Sequence, residues 1–215
     1  MKRLLLLLAA LIVVLAAAVF SFRPRGLGEG PVSAGTGTSS SGQRLAIGER
    51  VSFGYVLLTN SGNKPATLES VRLLGVSGGL ELLGIRSRTI PDEQGRGMFI
   101  GLSGFPPNEW SSTPLDTNHV VPVPRTFSET GNPNEGLELV IGVRATRPGV
   151  ARARAVEFTY RVGDRRYRGV YEGSMYLCAP VEEFTAETCP GEAEGKFDDV
   201  DVEVKIPSAS SPRSD

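Results

Sequence analysis

Residues 75–79, Gly75-Val76-Ser77-Gly78-Gly79, have the spacing of a nucleophile elbow, where a serine on a sharp turn holds its hydroxyl exposed. Asp92 or Asp116, followed by His119, would complete a Ser, Asp, His order along the chain. His119 is the only histidine, so every mechanism with an imidazole base must pass through it. An elbow needs a strand that turns into a helix on a parallel sheet, whereas residues 80–88 read as another strand. An envelope hydrolase using Ser77 is therefore the competing reading, not the leading one. A carboxylate pair for glycoside hydrolysis is defined by separation in space, which a sequence does not carry. Asp198, Asp199, Asp201 and Glu203 carry hard oxygen ligands, but their spacing fits no EF-hand loop and a charged surface is the simpler reading. Two cysteines and one remote histidine do not make the four ligands of a zinc site. No catalytic residue, metal ligand or cofactor is expected.

Two anomalies point to contact, not catalysis. Residues 103–134 hold six prolines, the only tryptophan (Trp110), His119, Phe105 and Phe127, with little strand periodicity. A connection this long inside a compact domain is often a binding loop, and Trp is a preferred interface anchor. The plainer reading is a loop pinned to the body by Trp110 and Phe105. Arg144, Arg147, Arg152, Arg154, Arg161, Arg165, Arg166 and Arg168 place eight positive charges in 25 residues. Beside a membrane such a hairpin would meet anionic headgroups or anionic envelope polymers, and its plainer reading is a solvated outer face. The candidate surface is thus Trp110, Phe105, His119, Arg161, Arg165, Arg166 and Arg168.

These residues are carried by a chain of 215 residues with 40% hydrophobic content, 26 Gly and 15 Pro, a composition of many turns between short extended segments. An unbroken apolar run over residues 4–20 follows Met1-Lys2-Arg3 and precedes Ser21, Phe22 and Arg23-Pro24-Arg25. Seventeen helical residues rise about 25 Å, just enough to span a bilayer. Residues 1–22 are expected to be a signal anchor, a single-pass transmembrane helix. Cleavage after Ala18, which would secrete the body, is the alternative. Residues 23–43, with six Gly and four Ser, read as a flexible linker setting the body about 25 Å from the membrane.

Period-two alternation then predicts strands near residues 51–57, 66–76, 80–88, 97–102, 137–143, 150–162 and 166–178. In residues 150–162 the apolar parity changes, which predicts a bulge near Ala155. Residues 137–143 are the cleanest alternation, with Glu138, Val140, Gly142 and Arg144 expected to face water. Cys178 and Cys189 read as one local disulfide closing the domain, as suits an oxidising compartment. Residues 191–215 are acidic and mostly disordered by composition, although alternation up to Ile206 would allow an edge strand. The expected fold is all-β, an antiparallel immunoglobulin-like sandwich of seven or eight strands over residues 44–190.

Residues 51–74, with Tyr55-Val56-Leu57-Leu58-Thr59-Asn60-Ser61-Gly62 and Ser70-Val71-Arg72-Leu73, resemble exported, membrane-anchored immunoglobulin-like proteins of high-GC Gram-positive bacteria. Residues 158–168, continuing to Leu177-Cys178, share the likeness, and the ratio of 19 Arg to 4 Lys agrees with such a genome. The resemblance implies location and fold, and brings no active site with it. The expectation for function is a non-enzymatic, membrane-tethered extracytoplasmic module of the plasma membrane. It would bind a protein or an anionic envelope polymer, or serve as accessory subunit of an envelope complex. Nucleic acid is not an expected partner.

Overall fold

The structure, a computed structural model, describes residues 27–35, 40–90, 99–107, 113–114, 119–124, 135–185, 188–189 and 200–206. Apart from one 3-10 turn at Val181–Glu183, every regular element in this set is a strand. The expected anchor, residues 1–22, lies outside the described residues. Among those described, no helix is long and apolar enough to cross a membrane.

Among the described residues fourteen strands form three sheets. In the first, β1 (Val32–Ser33), β3 (Arg50–Asn60), β9 (Gly136–Ala145), β5 (Leu80–Ile90) and β7 (Thr113–Pro114) follow in order, and β6 (Phe99–Ser103) adds to β3. The second is β10 (Gly149–Ala153), β13 (Ser174–Ala179) and β2 (Ser40–Arg44). The third is β12 (Arg165–Tyr171), β11 (Ala155–Val162), β4 (Ala66–Val76) and β14 (Val200–Lys205), with β8 (Val120–Val121) also on β4. Among the described residues all pairings are antiparallel except β13 with β2.

One hydrophobic core draws on all three sheets, because each strand turns its apolar parity the same way. Val51, Phe53, Leu139 and Ile141 come from the first sheet, Ala151, Met175 and Leu177 from the second, and Val71, Leu73, Val156 and Phe158 from the third. Opposite residues of an antiparallel pair share a face. The pairs Phe53 with Ile141 and Phe158 with Val71 therefore place their side chains inward together.

The parity change expected near Ala155 is where the long hairpin passes from the second sheet to the third. The strand breaks at Arg154, and both Ala153 and Val156 are buried. Ala153 pairs with Met175 and Val156 with Tyr171, so three steps on one strand face four on the other. The extra residue thus sits on the partner strand, between Tyr171 and Met175. Small and aromatic residues interlock across this hairpin: the Phe158 ring lies over Gly169, its direct partner, where any Cβ would collide with it.

Four short strands escaped the sequence pattern. β1 and β2 lie in the stretch read as linker, and β7 and β8 in the stretch read as one long loop. Residues 27–35 are fastened to the body in several places. Val32 pairs with Asn60, Ser61 N–H donates to the Pro31 carbonyl (2.9 Å), and the Arg168 N–H donates to the Gly28 carbonyl (3.1 Å). The Tyr160 hydroxyl accepts from Val32 N–H at 3.1 Å, and its ring stacks between those of Phe158 and Tyr167. Burial of this hydroxyl pushes the Tyr160 pKa upward. Farther along the chain, β14 lays Val202 and Val204 against the core, and Ile206 just after it does the same.

Candidate functional site

Ser77 lies at the corner that carries the chain from β4 in the third sheet to β5 in the first. Gly78 and Gly79 turn it with φ of 68° and 81°, and Ser77 exchanges backbone hydrogen bonds with Arg152 (2.9 and 3.1 Å). A strand follows this corner, so the strand-to-helix geometry of an elbow does not form. His119 is buried, 2% exposed, and its Nδ1 shares a hydrogen bond with Ser87 Oγ at 3.0 Å. Ser87 pairs with Leu139, which puts this contact on the core side of the first sheet. His119 therefore does not belong to an exposed surface. Its backbone carbonyl also accepts from Leu68 N–H (2.9 Å). Asp92 and Asp116 lie outside the described residues.

Phe105 covers the opposite face of the first sheet. Its ring rests on Gly142, and a Cβ on Gly84 would approach the same ring at 3.1 Å. Arg86 reaches over it, with its guanidinium carbon 5.9 Å from the ring centre, within cation–π range. Ser52, fully buried, donates its hydroxyl to the Gly104 carbonyl at 2.6 Å and ties the same segment down. Phe105 thus acts as a pin, as the plainer reading of the loop requires, while Trp110 and Phe127 lie outside the described residues.

The expectation that the second face of β9 meets water is corrected further along the same strand: Glu138 is 0% and Val140 1% exposed. Glu138 is held by Arg88, its neighbour across the strand pair, through Nε and Oε2. Its Oε1 makes no hydrogen bond to any described residue. Desolvation outweighs the attraction of Arg88 and raises the carboxyl to about 7. Nearer the surface, Arg144 grips Glu81 through two hydrogen bonds (2.8 and 2.9 Å) and lowers its pKa.

The arginine hairpin is β11 and β12, the outer edge of the third sheet. Arg161 and Arg166 share Glu69 (3.3 and 2.6 Å), and Arg168 shares Glu157 (3.3 Å) with Arg72 (2.6 Å). Arg165 makes no ion pair among the described residues. The arginines are therefore an exposed, interleaved network in which guanidinium groups outnumber the carboxylates that hold them. Pairs of this kind stabilise a fold by at most about 1 kcal/mol each, so they add little to folding.

Of the four acidic residues considered as cation ligands, Asp198 and Asp199 lie outside the described residues. Asp201 pairs with Arg72 at 3.4 Å, and Glu203 stands directly across from the same arginine. Among the described residues no three His, Cys, Asp or Glu side chains gather as a metal needs.

Cys178 and Cys189 are bonded, with Cα atoms 5.9 Å apart, and both are nearly inaccessible. No protein-family model matches the chain. No curated protein matches it either. The bond between the two cysteines is local in sequence. It ties the end of β13 to the segment 11 residues on. By chain entropy, closing a loop of this size contributes about 3 kcal/mol. Cys178→Ser with Cys189→Ser should lower the urea-unfolding free energy by about 2 to 3 kcal/mol. An unchanged midpoint in the doubly substituted chain would show that the loop is already held by β13 and the 3-10 turn.

Proposed function

We propose that this chain is a membrane-tethered extracytoplasmic binding or structural module of the cell envelope, without catalytic chemistry. The disulfide is the observation that carries the reading. Such bonds persist in oxidising compartments and are rare where thiol reductants are abundant. Delivery across the membrane is supported by the apolar run over residues 4–20, and Arg23-Pro24-Arg25 then marks where an anchor would end. An all-β body of mainly antiparallel sheets packed on one core is compatible with an immunoglobulin-like sandwich, although a third sheet and one parallel pairing add to that plan. Its contact surface is the arginine hairpin, whose side chains are exposed and in excess over their carboxylate partners, with an anionic envelope component or a protein as partner.

Intact-mass measurement on protein extracted from washed membranes tests the reading in one step. The expected species retains residues 1–18 and weighs about 2 Da less than the fully reduced chain. A cytosolic chain with both thiols reduced would overturn it. Labelling by a serine-reactive probe, lost in Ser77→Ala, would replace it with the hydrolase.

A further inference from the structure

The third sheet ends on one side in β12, whose outer side already receives Gly28 through its hydrogen bond from Arg168 N–H. On the other side it ends in β14, which pairs with β4 alone among the described residues. Along an antiparallel strand, neighbouring residues turn their backbone groups alternately to the two sides. Ile206 N–H donates to the Glu69 carbonyl (2.9 Å), so Val204 and Val202, in register with Val71 and Leu73, also turn theirs toward β4. The N–H and C=O groups of Glu203 and Lys205 therefore face outward, where another strand could meet them.

The side chains decide which strand fits. Asp201, Glu203 and Lys205 are exposed on one face of β14, while Val202, Val204 and Ile206 are partly buried on the other. Asp201 is engaged by Arg72 (3.4 Å). Glu203 and Lys205 make no ion pair among the described residues, and Lys205 stands across from Ser70, which offers it no charge. An open edge is blunted when like charges would meet across it. Against a second copy of itself, β14 escapes that in one register only. Two antiparallel copies that keep like faces together must be centred on a residue that faces its own counterpart. Centring on Asp201, Glu203 or Lys205 sets a charge against its own kind, and centring on Val202 sets Asp201 against Glu203 twice. Centring on Val204 sets Glu203 of each copy against Lys205 of the other, and on the apolar face it brings Val204 to Val204 and Val202 to Ile206.

We propose that β14 is a self-complementary edge that pairs with β14 of a second copy, centred on Val204, and so joins two third sheets into one. The residues whose backbone groups point outward, Glu203 and Lys205, are then the hydrogen-bonded pair, and each Glu203 lies between Arg72 of its own sheet and Lys205 of the other copy. One strand edge buries less than the ~1,200 Å² of a stable complex, so the pairing is weak and reversible.

Oxidative cross-linking of the full chain in detergent solution, with copper phenanthroline as oxidant, tests the pairing because it traps a weakly populated contact. Val204→Cys should form a disulfide with its own copy, since residues facing each other in a pair without hydrogen bonds stand about 4.5 Å apart at Cα, within the span of a disulfide. Val202→Cys, on the same face, would lie about 14 Å along the strand from its counterpart and should cross-link at least about tenfold more slowly. Adding Lys205→Glu to Val204→Cys breaks no ion pair among the described residues but sets carboxylate against carboxylate twice, and should slow the reaction about tenfold. Mixing that chain with one carrying Val204→Cys and Glu203→Lys should restore the original rate and yield the heterodimer by mass, because each chain supplies the charge the other lacks. If Glu203→Lys loosens β14 beside Arg72, seen as faster amide exchange in residues 200–206, the comparison of Val204 with Val202 and the effect of Lys205→Glu still decide. Equal rates at Val204 and Val202, or no effect of Lys205→Glu, would overturn pairing with a second copy and leave the edge to a strand of another protein. A faster reaction at Val202 would overturn the register.

Discussion

Replacing Phe158 with alanine should cost about 3 to 5 kcal/mol, a large part of the roughly 5 to 15 kcal/mol that holds a domain together. The ring is 1% exposed, and it fills space between Val71 on one neighbouring strand and Gly169 on the other. Gly169 has no side chain to move into the gap, so the cavity would stay open and its walls would lose their contacts outright. Stacking of the ring with Tyr160, centroid to centroid 5.9 Å, would be lost as well. Because Tyr160 holds Val32, the damage should extend to the docked residues 27–35. Urea unfolding should show a lower midpoint with an unchanged slope, the sign of lost stability and not of an altered unfolded state. A loss below about 1 kcal/mol would mean that the ring does not fill the core as described. Phe158→Leu, which keeps most of the volume, should recover more than half of the difference.

How far the sequence announced this structure depends on whether a strand carries its own signal. Residues 66–76 and 80–88 keep enough apolar period-two pattern to be read as strands although each slips register once, and Gly78-Gly79 stand between them, so strand, corner and strand were all legible. The strands β1 and β2 were not, because they supply little apolar surface themselves. They are held by what other residues offer: the Tyr160 hydroxyl for Val32, and a parallel partner, β13, for Ser40–Arg44. Composition reports what a segment can bury, not which unpaired strand edge lies open to receive it. Of the candidate surface, the arginines were legible as a cluster, but their sharing of Glu69 and Glu157 depends on pairings 85 or more positions apart for Arg72 with Glu157 and beyond for Arg166 with Glu69. His119 was misplaced for a related reason. A polar residue in a Pro-rich stretch reads as exposed until a buried partner, here Ser87, is known.

Glu138 offers the sharpest case, and its signal was present in the sequence but read with the wrong geometry. In β9 the residues Leu137, Leu139, Ile141 and Val143 alternate with Glu138, Val140, Gly142 and Arg144, which suggests one wet face. Val140 and Gly142 on that second face are apolar and small, as two-sided burial would require, and Phe105 takes the space above Gly142. The Glu138 carboxyl on the same face is buried as well, and desolvation raises its pKa from 4.5 to about 7 despite Arg88. A raised carboxyl makes the folded state bind the proton more tightly than the unfolded one. Its contribution to stability is therefore complete below pH 4.5 and is lost as pH climbs through about 7, the reverse of an ordinary salt-bridged carboxylate. At about 1.4 kcal/mol per pH unit, the loss across that window is about 3 kcal/mol. Glu138→Gln keeps the shape and removes the titration, and Arg88, one-fifth exposed, retains access to water. Unfolding free energies measured at pH 4.5 and at pH 7.5 should therefore fall by about 3 kcal/mol more in the unsubstituted chain than in Glu138→Gln. At the higher pH the variant should be at least as stable as the parent, because it no longer holds a buried charge whose desolvation exceeds what Arg88 returns. Parallel pH profiles would mean that Glu138 is solvated when ionised, and that the face of β9 around Arg88 opens to water.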